Sequence, residues 1–401
     1  MEKVSTHSMP KKQKHKRAQS SQKTQGGLLL EITALSGEYP AKNIHRIVPT
    51  KDYDRKVTAN LVEEKLLKKI DANKLKGYRL TFAGKKKLLK ESPERFSGLL
   101  EGGTETNRLR TSFTRRLRLH SLAEVCTIMH NAGVQIFQDK KPKVYLLPQS
   151  DSPSGNPEQH TLITSSCFYT SREQKGEKDN AIRGSRAAGT LLTPSHVYAI
   201  YNTGSKESDW SDKIEQRFME EVRNYICRKL LLNQYKGIEV GGIMIGESMD
   251  MLEKYLAVSK EKKMGYLFLT RTYRPFYYIT NDTYGEAQLK LICDNKKMTE
   301  LTKALHMKLL PHDKTHPIEH DALTEDGNPV LFCCLLDIPR LDKFREGLVL
   351  QDKIGKIVAF DFQVDMLKRY LGDNVEFAII SFDGYKQKFF PDWKKNRKAG
   401  G

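Results

Sequence analysis

This chain of 401 residues has no apolar run approaching the roughly 20 residues that a membrane span needs. Its first apolar cluster, Leu28–Leu30, is too short for a secretory signal. No membrane partner is expected, and the protein is expected to be cytoplasmic. Cysteine is sparse. The six are Cys126, Cys167, Cys227, Cys293, Cys333 and Cys334, and none has the CxxC spacing of a zinc site. They read as reduced and mostly buried. The signatures of common catalytic centres are missing too: no HExxH, no GxSxG, and no His-x-Glu with Cys-x-x-Cys. Gly241–Gly246 is followed by Glu247 and Ser248 where a phosphate loop needs Lys and Ser/Thr, so it reads as a tight strand-to-helix turn. His312, His316 and His320 recur every four residues, but Pro311 and Pro317 break the helix that would align them as metal ligands. No catalytic residue, metal ligand or cofactor is assigned on this basis.

Negative charge is scarce in one part of the chain only. Residues 1–150 hold 31 Lys and Arg against 14 Asp and Glu, a net +17 out of +19 for the whole. The remaining 251 residues are nearly balanced, at 37 against 35. Concentrated positive charge is the footprint of phosphate binding, and double-stranded DNA is the expected partner. Residues 1–26 are too polar to fold alone and read as a disordered basic tail or a non-specific DNA-binding arm.

Residues 27–92 carry the pattern of a winged helix-turn-helix. Helices are expected at Gly27–Leu35 and at Pro40–Val48, where Pro40 suits a first helical turn. In Lys51–Leu67, Val57, Leu61, Val62, Leu66 and Leu67 recur at helical spacing, with Tyr53, Arg55, Lys56, Thr58 and Asn60 on the other faces. A two-strand ribbon fits Lys68–Asp71 and Lys76–Leu80, with its turn over Asn73–Gly77. Thr81 is placed to cap a helix through Lys85–Leu89. In such an architecture the third helix enters the major groove and the ribbon follows the backbone. The expected contacts are Tyr53, Arg55, Lys56 and Asn60 on the helix, Lys74, Lys76 and Arg79 on the ribbon, and Lys85 and Lys86 beyond it.

Residues 93–150 read as an arginine-rich helical connector. Residues 106–132 have the apolar repeat of one long helix, with Arg108, Arg110, Arg115, Arg116 and Arg118 crowding its first half. Arg115 and Arg116 join the expected phosphate contacts, since guanidinium suits bidentate phosphate binding. Gly133 stops the helix and Val134–Phe137 begins a strand. The loop-like stretch 149–160 marks a domain boundary.

Residues 151–385 alternate strands and helices, which favours an α/β domain with a mixed sheet. Strands are expected at Tyr198–Tyr201, Gly242–Ile245, Tyr266–Thr270, Val330–Leu336, Ile357–Phe360 and Phe377–Ser381. Helices are expected at Lys213–Leu231, Asp250–Ser259, Gly285–Ile292 and Gln363–Leu371. Residues 386–401 read as a basic tail. The fold class is thus a multidomain α+β and α/β chain.

Arg186–Asn202 has the rhythm of a turn followed by a strand, the layout that holds metal-binding carboxylates in nucleases. Here those places hold Ser195 and Asn202, and Glu215 and Glu220 follow on the next helix.

With Tyr78-Arg79-Leu80-Thr81-Phe82-Ala83-Gly84 and the Gly189–Tyr201 segment, the order of elements resembles the replication-relaxation family of Gram-positive plasmids and conjugative elements. The resemblance covers roughly Leu28–Asp361. It implies a DNA-binding protein of plasmid replication or mobilisation whose second domain has a restriction-endonuclease-like fold. Ser195 and Asn202 depart from a working metal site and favour a non-catalytic second domain. The expectation is a DNA-binding accessory or regulatory protein of a mobile genetic element, with no enzymatic activity. Other replication or transfer proteins, or a second copy of the chain, would be its further partners. The alternative is a metal-dependent nuclease of the PD-(D/E)xK type.

Overall fold

The computed structural model describes residues 25–48, 51–102, 106, 111–145, 162–174, 184–204, 211–261 and 272–391. The described residues divide into two compact units, the first running to Thr127 and including Pro391, the second Ile128–Phe390. The loop-like stretch 149–160, the expected strand Tyr266–Thr270, and Arg108 and Arg110 lie outside the described residues.

The first unit begins with a helix over residues 25–36, named α1 here, which buries Leu29, Leu30, Ile32, Ala34 and Leu35. Gly37, at φ +88°, ends it. Next comes a short strand, β1 (Tyr39–Pro40), and a 3-10 turn, Ala41–Arg46. Pro40 therefore does not open an α-helix as expected. Its ψ of 129° is extended, and it pairs with Gly77. Helix α2 (Lys51–Glu63) follows, and then β2 (Leu67–Ala72) and β3 (Leu75–Leu80). Helices α3 (Phe82–Glu91), α4 (Pro93–Leu100) and α5 (Phe113–Asn131) come after the ribbon. The strands form one antiparallel sheet in the order β1-β3-β2. Tyr39, fully buried, donates from its hydroxyl to Asn43 O at 3.0 Å. Arg95 ties α4 to Glu31 of α1 at 2.7 Å.

Gly133, at φ +87°, ends α5. Val134–Phe137 is not a strand. Only Gln135 pairs, as a single bridge to Cys167.

The second unit holds two mixed sheets. The larger has the order β11-β8-β7-β6-β5-β4. Its first strands, β4 (Cys167–Thr170), β5 (Gly189–Leu192) and β6 (Val197–Gly204), form an antiparallel meander. Helix Asp212–Val222, continued as a π-helix over Arg223–Leu230, leads to β7 (Gly241–Gly246), parallel to β6. Next to it lies β8 (Phe276–Thr280), also parallel. The smaller sheet has the order β13-β12-β10-β9, built from β9 (Ala322–Leu323), β10 (Pro329–Phe332), β12 (Gly355–Phe360) and β13 (Val375–Ile380). The expected strand Val330–Leu336 is two pieces in different sheets. Its first part is β10, while β11 (Leu336–Asp337) pairs antiparallel with β8.

Helix Phe382–Phe389 occupies the start of the expected basic tail. Phe382, Tyr385, Phe389 and Phe390 are buried there, with Phe360 packed edge-on to Phe382 at 5.4 Å. Their three- and four-residue spacing supplies an apolar stripe, which outweighs the basic composition. No helix among the described residues is long and apolar enough to cross a membrane.

Candidate nucleic-acid interface

Helix α2 is fixed by Val57 and Leu61, one turn apart and both buried, with Leu66 and Leu67 buried just past its end. Val62 is 38% exposed, so the apolar stripe is narrower than the sequence suggests. Thr58 is also inside. Its hydroxyl donates to Asp54 O at 2.9 Å, back onto its own helix. The exposed stripe is Arg55, Lys56, Ala59 and Asn60, followed by Glu63 and Glu64. Along this stripe the cations Arg55 and Lys56 come first, the Asn60 amide next and the carboxylates last. Tyr53 is half-buried.

The ribbon pairs from Leu67↔Leu80 to Ala72↔Leu75, leaving Asn73 and Lys74 alone as its turn. Both have positive φ, 54° and 62°, as a two-residue type I′ turn requires. The turn is tighter than the expected five residues, and Lys74 stands where glycine is the common choice. Lys74 and Lys76 are exposed. Lys76 faces Asp71 across the ribbon at 3.7 Å, a solvent-exposed pair of little energetic weight.

The Thr81–Gly84 end of the motif joins the ribbon to the next helix. Thr81 Oγ1 accepts from the Gly84 amide at 3.1 Å and donates to the Lys65 carbonyl. A Cβ on Gly84 would come within 2.3 Å of Leu66 O, so only glycine lets α3 approach the end of α2. Lys86 is exposed on α3 and Lys85 is half-buried. Burial, and then the charges of Arg79 and Lys68, push the Lys85 ammonium below the usual lysine range. Three cations thus converge at the foot of the ribbon, where Lys68 and Arg79 are direct cross-strand partners.

Two expected contacts are not at the surface. Arg79 is buried, and its guanidinium donates to Thr111 Oγ1 at 3.0 Å. Arg116 is 4% exposed and grips the fully buried Glu38, with Nη2 2.7 Å from Oε1 and Nε 2.9 Å from the same oxygen. His120 Nε2 lies 2.8 Å from that oxygen. Burial pushes the Glu38 carboxyl up, but hydrogen bonds from His120 and Arg116 outweigh it and hold the group below the ordinary carboxylate range. Arg115, one residue earlier, is half-buried. Nothing in the sequence separates Arg115 from Arg116. The one hint is Glu38, the single charged residue within 32–41, and it does not say which arginine it takes.

In the second unit the would-be nuclease positions hold local structure. Ser195 Oγ lies 2.8 Å from His196 Nδ1, and Asn202 Oδ1 accepts from the Gly204 amide at 3.0 Å. Glu215 is buried and accepts from Ser185 Oγ, the Arg186 amide and the Tyr201 hydroxyl. Burial raises its carboxyl above the ordinary range. Glu220 is exposed on the same helix. Gly241–Gly246 is a fully buried strand, and a Cβ on Gly242 would meet the Phe276 ring. The rings of His312 and His316 both approach His320, with centroids at 4.5 and 4.9 Å. His320 spends both nitrogens on backbone, near Ile318 O and the Asp313 amide. Among the described residues no group of three His, Cys, Asp or Glu side chains could hold a metal ion.

No protein-family model, curated protein or solved structure matches this chain.

Proposed function

We propose that this chain is a DNA-binding accessory or regulatory protein of a mobile genetic element, and that its first unit acts as a winged helix. Helix α2 enters the major groove and reads bases through Arg55 and Asn60. The ribbon lies along the phosphate backbone with Lys74 and Lys76. The observation that carries this reading is the pairing of an exposed Arg55–Lys56–Asn60 stripe with a neighbouring cationic ribbon. Guanidinium suits guanine and a carboxamide suits adenine, whereas ammonium groups on a ribbon meet phosphate. The order helix, short strand, 3-10 turn, helix, ribbon fits the same assignment, and the resemblance to the replication-relaxation family supplies the setting. The second unit serves partner binding or self-association. Titrating the full chain against duplex DNA at two salt concentrations tests this. Binding should weaken steeply with salt, with a slope near −0.9 per phosphate contacted. Binding that ignores salt would sink it.

A second reading has one observation in its favour. The meander β4-β5-β6, the helix after it and the parallel strand β7 follow the order of a restriction-endonuclease-like core. On that reading the chain is a metal-dependent nuclease. Nicking of plasmid DNA in Mg²⁺ or Mn²⁺ that disappears in Glu215→Gln would favour it over a non-catalytic second unit.

A further inference from the structure

The Arg116 guanidinium does more than neutralise Glu38. Its Nη1 donates to Ala72 O at 3.0 Å, and its Nη2 to Leu75 O at 2.9 Å and Ile70 O at 3.3 Å. Ala72 and Leu75 are the pair that closes the Asn73–Lys74 turn. One side chain from the first turn of α5 therefore holds carbonyls on both strands of the ribbon, at the turn end. Glu38, fixed just ahead of β1, aims that side chain by taking Nε and Nη2 together. The backbone leaves no slack around the pair. A Cβ on Gly77 would lie 2.4 Å from Glu38 Oε1 and 2.7 Å from His120 Nε2. A two-stranded ribbon alone is marginally stable in water. Here β1 supports it only at Tyr78 and Gly77. The turn, which carries Lys74, is held from α5.

We propose that Arg116, aimed by Glu38, is a positioning residue for DNA binding. It does not touch DNA; it fixes the ribbon so that Lys74 and Lys76 meet phosphate without first being ordered. This rests on the DNA-binding reading above. A planar five-donor fork can serve a carboxylate and three carbonyls at once, and an ammonium cannot. Arg116→Lys keeps the charge and loses the grip.

The test is a double-mutant cycle on the full chain, with a random-sequence duplex as probe. Arg116→Lys alone should weaken binding about tenfold, within the range of coupled neighbours. In a Lys74→Ala, Lys76→Ala background the same substitution should change binding less than twofold, because the ribbon no longer has charges to position. Equal losses in both backgrounds would overturn the proposal, since a direct phosphate contact or a general loss of fold is indifferent to those lysines. Amide exchange on the DNA-free protein gives the second readout. Arg116→Lys should speed exchange in Ile70–Tyr78 and leave α2 unchanged. Unchanged ribbon exchange overturns the proposal even if binding falls. Gly77→Ala, which displaces Glu38 from the other side, should repeat both effects and serves where Arg116→Lys folds poorly. If wild type fails to bind any duplex, the DNA reading falls, and amide exchange still decides whether Arg116 orders the ribbon.

Discussion

At the scale of single residues, burial decides which charges are available to a ligand. Arg115 and Arg116 are adjacent and chemically identical, yet one is half-buried and the other is inside on Glu38. Removing either partner of such a pair leaves a buried charge without compensation, typically at about 3–5 kcal/mol. Asp337 shows the opposite balance. Burial raises its carboxyl to about 6, against an ordinary 3.8, although the Phe276 amide and Arg340 pull the other way. A carboxyl raised in the folded state binds its proton more tightly there than when unfolded. It therefore opposes folding above pH 6, and stability is gained as pH falls from about 6 towards 3.8. Asp337→Asn should raise the stability of the second unit by about 1 kcal/mol at pH 7.5 and change little at pH 3.5. Urea unfolding at the two pH values checks this, and an equal effect at both would show that the charge is not the cause.

At the scale of elements, Lys74 offers a separation of fold from function. A lysine at φ +62° carries a strain of about 1 kcal/mol that glycine would not. Lys74→Gly should raise the melting temperature of the first unit while weakening duplex binding and lowering its salt slope by about one. Calorimetry and salt titration of the same variant test the two halves. A variant that is both more stable and equally tight would remove Lys74 from the interface. The ribbon and the Thr81 cap were legible in the sequence because their signals are local: an Asn-containing turn between two short runs and a threonine three residues before a glycine. Pro40 was misread because proline suits a first helical turn and an edge strand equally, and only pairing with Gly77 decides between them. The division of Val330–Leu336 between two sheets was illegible for a similar reason. An apolar run does not say which sheet its ends will join.

At the scale of the whole molecule, the charge asymmetry was plain from composition, whereas the interior work of Arg79 and Arg116 was not. Composition counts cations without distinguishing those that face solvent from those that organise the ribbon. If α2 reads bases and the ribbon holds the backbone, substitutions on the two elements behave differently on a preferred site. A preferred site is first selected from random duplexes with the full chain. Asn60→Ala and Lys76→Ala are then titrated on that site and on a scrambled duplex. Asn60→Ala should lose about 1–3 kcal/mol on the selected site and little on the scrambled one. Lys76→Ala should lose a similar factor on both. No enriched sequence, or two substitutions that behave alike, would contradict base reading by α2 and leave a non-specific DNA clamp.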